Sequence, residues 1–298
     1  MFTAALILLG AGSHVMLCYN WLMALLLGYV IQQAFSRLDL KGGSEFHTIA
    51  IVLPLLTAGF DFIYCHLPQY DHFYKVPLLT LVLTLLLSVT MSLWQRHHSP
   101  FKCMLLGLLI GTSSTFVPHT ILWLLFFPVA GFYMRCWSSR NVCSVLTGTA
   151  LAIWCVYCVL FFVDGAEAAS AMLHGYSVIL QTEDYALYFH GLGLWQYLFI
   201  GLSLLLLLIY NVSGYLVGTG QSVRSYESFQ MLATISLLFL LLMAFDLQHF
   251  LANFGLITLL ISQQLTIHQS SSRSAILDWI ILLVMVVYIA LCITPLFL

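Results

Sequence analysis

Charged residues are scarce in this sequence. Only 7% of its 298 residues are charged, while 62% are hydrophobic. Soluble domains carry about a quarter charged residues, because water must solvate their surface. The composition therefore excludes an ordinary soluble protein and indicates an integral membrane protein.

Other features that the sequence lacks exclude further classes of protein. It has no Lys/Arg tract that could follow a phosphate backbone, and its formal net charge is −2, which excludes a nucleic-acid partner. The eight cysteines are scattered and lie mostly in apolar runs, where they act as small hydrophobic residues rather than as a disulfide framework. There is no phosphate-binding loop, dinucleotide fingerprint or HExxH motif, and we expect neither a cofactor nor a metal.

The sequence does contain a series of long uncharged apolar segments. Each is near the ~20 residues that cross a bilayer as a helix. They lie at 4–34, 47–66, 76–95, 102–116, 117–134, 142–163, 194–217, 229–245, 249–266 and 276–297. Residues 1–298 are thus predicted to form one integral membrane domain, an all-α polytopic transmembrane bundle of about ten helices. The first segment is long enough for one tilted helix or two helices, so about nine to eleven crossings fit the pattern.

The basic residues alternate between the gaps that separate these segments. All nine except Lys75 fall in odd-numbered gaps. They are Arg37, Lys41, Arg96, Lys102, Arg135, Arg140, Arg224 and Arg273. Because Lys and Arg are retained on the cytoplasmic side, the odd gaps are predicted to be cytoplasmic and the even gaps to be outside.

The longest connection runs from 164 to 193 on the predicted outer side. It leads into an aromatic stretch that includes Tyr185, Tyr188 and Trp195. Aromatic residues beside a helix start are typical of the membrane interface, so we predict a helix lying on the outer leaflet. The alternative is a lid over an outward-facing cavity, because long loops are often functional.

Candidate functional residues are ionisable side chains near the outer ends of the spans, where burial in lipid is costly. Asp61 lies near the outer end of the second segment, and His66, Asp71 and His72 follow within a few residues. Carboxylate and imidazole groups suit general-base chemistry. We predict Asp61 and Asp71 as catalytic and His66 and His72 as binding residues. The alternative is an ordinary solvated turn.

Two further outer turns carry candidate binding residues. Asp246 and His249 stand between two apolar segments, and His119 follows Pro118 at another turn. A carboxylate before a helix start can cap that helix, so capping is the alternative to a ligand-binding pair. We predict that His119, Asp246 and His249 open into the same vestibule as Asp61.

Small residues predict helix contact. Gly107 and Gly111 form a GxxxG pair in a short apolar segment. Glycines at this spacing let two helix backbones approach closely, so we predict a packed bundle, and a dimer seam is the alternative.

The stretch from Val76 to Val163 carries a recognisable order of motifs. Its parts are Trp94-Gln95-Arg96, the glycines Gly107 and Gly111 in a helix that runs to Pro118, Pro128 in the next helix, the Arg135 to Arg140 turn, and Gly148. This order resembles a family of uncharacterised bacterial multi-pass membrane proteins and, more distantly, the middle helices of GT-C type membrane glycosyltransferases. The resemblance implies a location in the bacterial cytoplasmic (inner) membrane.

A GT-C resemblance further implies a lipid-linked glycan as donor and an acidic residue in the first outer loop, after the first helix. In this sequence the first gap, 37–45, is predicted to be cytoplasmic, so that position is unmatched and the earliest outer acids are Asp61 and Asp71. Three hypotheses about function remain open. The first is a GT-C-like protein that handles a lipid-linked or envelope substrate. The second is a non-catalytic partner of another membrane protein, and the third is a small-solute transporter.

Overall fold

A computed structural model describes residues 75–96, 98–177 and 223–245. It also describes isolated positions at 26, 179, 194, 197, 198, 201, 204, 205, 208 and 211. The chain divides into two compact units. The first comprises Met1–Leu81, Leu192–Ser213 and Leu251–Leu298, and the second comprises Val82–Gly191 and Gly214–Phe250. Most of the described residues belong to the second unit.

The described segments are helical. They are α1 (Lys75–Met91), α2 (Pro100–Phe116), a 3-10 helix (Pro118–Leu125), α3 (Phe126–Tyr133), α4 (Ser139–Val163), α5 (Ala166–Ser177) and α6 (Val223–Phe245). No strand occurs among the described residues, which agrees with the predicted all-α class. By length and composition, α4 is the one described helix that could cross a membrane, and shorter apolar helices accompany it.

Local signals in the sequence set the ends of α2 and α4. Pro100 occupies the first turn of α2, where a missing amide hydrogen costs nothing. The Ser138 side chain caps α4 by accepting a hydrogen bond from the amide of Asn141 at 3.2 Å. Gly165 ends α4 with a φ of +91°, and its amide reaches back to the carbonyl of Leu160 at 3.1 Å. The chain therefore turns directly from α4 into α5.

Three glycines bring α2 and α4 into backbone contact. A Cβ atom on Gly107 would lie 2.1 Å from the carbonyl oxygen of Val145, and one on Gly148 would lie 2.3 Å from that of Met104. Gly111 faces Ala152 in the same way, with 2.6 Å between a built Cβ and the Ala152 Cβ. The close contact predicted for the GxxxG pair is therefore confirmed, and its partner is α4.

Aromatic residues fill the space between the 3-10 helix, α3 and α6. Phe126 is fully buried, and its ring lies 6.4 Å from that of Trp123 and 6.2 Å from that of Phe239 in α6. The small cavity beside these rings is lined by apolar side chains and by Thr90, whose hydroxyl already donates to the carbonyl of Leu86. The space between the 3-10 helix, α3 and α6 is thus packed and mostly apolar.

The turns at one end of the second unit are joined to each other. The amide of Gln95 donates to the carbonyl of Met134 at 2.9 Å. The side chain of Asn141 accepts from the amide of Ser99 and donates to the carbonyl of Cys136. We call residues 92–102, 134–141 and 223–227 the basic end. The opposite end, which contains residues 113–120 and 174–177, is called the hydroxyl end.

Candidate functional site

His119 is the one predicted site residue that lies within the described part of the chain. It is the second residue of the 3-10 helix, at the hydroxyl end, and its side chain is half-buried. Asp61, His66, Asp71, His72, Asp246 and His249 lie outside the described residues. The convergence of these residues on one vestibule therefore stays a prediction.

A cluster of hydroxyl groups lies beside His119 in the chain. Thr120 Oγ1 lies 3.2 Å from Ser113 Oγ and 2.9 Å from the carbonyl of Val117, and Ser114 Oγ lies 3.0 Å from the Tyr176 hydroxyl. Ser113, Ser114 and Thr120 are buried, and Tyr176 is half-buried. The end of α2, the start of the 3-10 helix and α5 each contribute to this cluster. It is therefore a tertiary contact rather than a local turn.

The protons of this cluster have acceptors within the protein. Ser113 lies within donating distance of the carbonyl of Ile110, and Ser114 of that of Gly111, at 2.9 Å and 2.8 Å. A hydroxyl has one proton, so Ser114 donates to Gly111 and accepts from Tyr176. An activated nucleophile would instead donate its proton to a nearby base. The arrangement fits a polar joint between helices.

Burial governs the acidity of the phenol in this cluster. Desolvation raises the pKa of Tyr176, and the Ser114 hydroxyl, which can turn to donate to the ionised phenol, opposes part of that rise. The neutral phenol is therefore the stable form at physiological pH, and it remains available as a donor to Ser114. The sequence analysis did not single out Tyr176, because a single Tyr in a mixed polar stretch forms no distinguishing pattern. The only feature of the sequence that could have indicated this hydroxyl cluster is the run Thr112-Ser113-Ser114-Thr115.

The basic end contains an ion pair that the sequence prediction also lacked. Arg135 Nη2 and Glu227 Oε1 lie 2.5 Å apart, and the two side chains are 56% and 15% exposed. The other carboxylate oxygen, Glu227 Oε2, is buried and has no hydrogen-bond partner. The pair connects the turn after α3 to the first turns of α6. Because 92 positions separate the two residues, sequence spacing gives no indication of it.

Within the described residues, no three His, Cys, Asp or Glu side chains lie close enough together to hold a metal ion. Cys136 is buried in the turn before α4, and this burial raises the pKa of its thiol. A thiol in that environment stays protonated at neutral pH, which disfavours metal ligation.

The comparisons with known proteins give no relative from which a residue role could be carried over. No family model, curated protein or solved structure matches this chain.

Proposed function

We propose that this chain is a multi-pass integral membrane protein of a bacterial inner membrane, with about ten helices crossing the bilayer. The supporting observation is the arrangement of side chains around α4. Its buried side holds Val145, Gly148, Thr149 and Ala152. Its exposed side carries Leu146, Leu151, Trp154, Val159 and Phe162. A helix facing water would carry polar groups on its exposed side, whereas lipid favours large apolar ones.

Burial in the second unit supports the same proposal. Only 22% of the most apolar stretch of α4 is buried, whereas the core helix of a soluble protein would be mostly buried. Hydroxyl residues such as Thr90, Ser113 and Thr149 are turned inward instead. Lipid tails offer no hydrogen bonds, so a membrane helix satisfies its hydroxyls on its own backbone or on a neighbouring helix. Thr149 has an acceptor of each kind within reach of its one proton, since its Oγ1 lies 3.0 Å from the carbonyl of Val145 and 3.1 Å from that of Gly107.

Within the membrane, we infer a structural role as the non-catalytic partner of another membrane protein. The contact between α2 and α4 leaves no space between their backbones, which favours a rigid body over one that opens and closes. On the exposed side of α4, the rings of Trp154, Tyr157 and Phe161 stack at 5.9 Å and 6.3 Å. We infer that this aromatic ladder contacts the helix of a partner, because aromatic rings bury large areas at interfaces, and that the rest of the exposed side faces lipid.

Purification of the full chain in polymer discs cut from native membranes tests this role. We expect one membrane protein to co-purify in a fixed ratio, quantified by mass spectrometry. A Trp154→Ala/Phe161→Ala variant should lose it. Val159→Ala is the matched control, because Val159 is exposed on the same helix outside the ladder. Recovery of the wild-type chain with lipid alone would contradict the structural role.

A second candidate function is a GT-C-like enzyme that acts on a lipid-linked glycan at the outer leaflet. The observation that favours it is the half-buried His119 at the hydroxyl end, where α5 contacts the 3-10 helix. In this proposal Asp61 or Asp71 is the general base, and loss of a positioned base costs about 100-fold or more in rate. Either Asp61→Asn or Asp71→Asn should then slow turnover of a labelled lipid-linked sugar by about 100-fold or more, while Asp164→Asn, an exposed acid, should not. Absence of turnover by the wild-type chain would exclude this function.

A further inference from the structure

The basic end of the second unit has an excess of positive charge. Its described cationic residues are Arg96, Lys102, Arg135 and Arg140. Glu227 is the one acidic residue that the structure describes at this end. Uncompensated cations concentrated in a small area attract anions, and the cytoplasmic leaflet supplies anionic lipid headgroups.

Backbone contacts hold these cations near one another. Arg96 follows Gln95, whose amide is bonded to Met134, the neighbour of Arg135. Arg140 precedes Asn141, whose side chain bridges Ser99 and Cys136. The turn before α2, which carries Arg96, and the start of α4, which carries Arg140, are therefore held side by side, and both arginines are exposed.

Two of the four cations are available for a ligand. Lys102 Nζ donates to Ser92 Oγ at 2.9 Å, and Arg135 is paired with Glu227. Arg96 and Arg140 are exposed, and no acidic side chain among the described residues pairs with either one. A guanidinium group presents a planar set of donors that matches two oxygens of a phosphodiester.

Large apolar side chains are also exposed in this region. Phe101 and Trp137 belong to the basic end, Phe132 lies two residues before Met134, and all three are largely exposed. The indole of Trp137 is held in place because it packs against Gly131 and stacks on Phe127 at 6.1 Å. Aromatic rings beside basic residues are typical of the depth at which lipid headgroups lie.

We propose that the basic end is a binding surface for an anionic phospholipid, with the headgroup phosphate between Arg96 and Arg140 and the acyl chains against the exposed aromatic residues. Phosphatidylglycerol and cardiolipin have the required chemistry. The inference rests on the proposed membrane location and on no particular role within the membrane.

Native mass spectrometry of the full chain in neutral detergent tests the proposal. We expect phosphatidylglycerol to remain bound where phosphatidylcholine does not. An Arg96→Gln/Arg140→Gln variant should bind phosphatidylglycerol about 25-fold more weakly, at about fivefold per basic residue. Arg96→Lys/Arg140→Lys keeps both charges and should lose much less. Neither arginine makes a described side-chain contact, so thermal unfolding of the Gln variant should match that of the wild type.

Two further measurements complete the test. Binding of phosphatidylglycerol to the wild type should weaken as salt is raised, which needs no variant. Excess inorganic phosphate should displace the lipid only weakly, because it lacks acyl chains. Equal retention of both lipids by the wild type, or no change on neutralising both arginines, would overturn the proposal. Failure of the wild type to enter phosphatidylcholine vesicles at all would refute the membrane location instead.

Discussion

At the scale of single residues, the glycines in α2 and α4 determine how closely the two helices pack. Each glycine faces backbone atoms or a Cβ of the other helix rather than a side chain that could move aside. The resulting approach lets Thr149 place its hydroxyl within hydrogen-bonding distance of the carbonyl of Gly107. Gly107 and Gly111 could be singled out from their spacing, whereas their partner Gly148 could not, since spacing within one segment does not identify the opposing helix.

A Gly107→Ala substitution should destabilise the protein. Its Cβ would lie 2.1 Å from the carbonyl oxygen of Val145, so the helices must separate, and overpacking of this kind costs about 1–3 kcal/mol. Gly201→Ala is the control, because Gly201 is helical and nothing lies within 4 Å of its built Cβ. Thermal unfolding in detergent, followed by tryptophan fluorescence, measures both. Equal midpoints for the two variants would contradict a tight contact at Gly107.

Tyr176 should make the stability sensitive to high pH. Because burial raises the pKa of its phenol, the folded state holds the proton more tightly than the unfolded state, whose value is about 10. The stabilisation is complete below pH ~10 and is lost as the pH rises above it toward the folded-state pKa. Tyr176→Phe should lose about 0.5–1.5 kcal/mol near neutral pH with its hydrogen bond to Ser114.

The measurement is the difference in unfolding free energy between wild type and Tyr176→Phe as a function of pH. This difference should shrink above pH ~10, because only the wild type has a phenol to ionise at this position. Comparing the two proteins cancels the contribution of the other tyrosines. A difference that stays constant with pH would show that Tyr176 is not buried as the structure has it.

At the scale of helices, apolar runs in the sequence locate the elements but miss their ends. The third segment was predicted to extend to residue 95, yet α1 ends at Met91. Gln95 instead adopts a φ of +54°, and its amide bonds to Met134, a contact between residues far apart in the chain. The eighth segment was predicted from residue 229, yet α6 begins at Val223. An apolar pattern excludes Arg224 and Glu227, yet both lie within α6.

The fifth segment was predicted as one helix, and the structure divides it into a 3-10 helix and α3 at Leu125. The hydrophobicity of a segment indicates that it is buried in protein or in lipid. Whether it forms a 3-10 helix or an α-helix depends on how its side chains pack. Here the packing is that of Phe126 against Trp123 and Phe239. The sequence pattern contains none of these contacts.

If α4 lies in lipid, a charged residue introduced on its exposed side should be unfavourable. Leu151, at the middle of α4, is 41% exposed, so in water Leu151→Arg would be tolerated. At the centre of a membrane helix an arginine costs about 2.5–3.5 kcal/mol of insertion free energy. Leu173→Arg is the control, because Leu173 is similarly exposed but belongs to α5, in the connection that the sequence predicts to lie outside the spans. We expect the first variant alone to be depleted from the membrane fraction, and equal yields would argue against a spanning α4.

At the scale of the whole molecule, the alternation of basic residues and the contacts between turns describe the same arrangement. The sequence assigns Arg96 and Lys102, Arg135 and Arg140 to one side of the membrane. The structure brings the turns that carry them together at the basic end. The positions of acidic residues in the sequence indicate topology less well than those of basic residues. Glu227, for example, lies at the basic end and neutralises part of its charge.

Two introduced cysteines test this topology. Ser139→Cys lies at the start of α4 at the basic end, and Ser170→Cys lies in α5, and both serines are exposed. If the basic end is cytoplasmic, an impermeant maleimide should label Ser170→Cys in spheroplasts and Ser139→Cys only in inverted vesicles. The background must lack the exposed Cys143 and Cys155, and also Cys18, Cys65 and Cys292, which lie outside the described residues. Labelling of both positions from one side would refute a membrane-spanning α4. The reverse pattern would keep the span but invert the chain, which would move the proposed anionic-lipid surface to the outer leaflet.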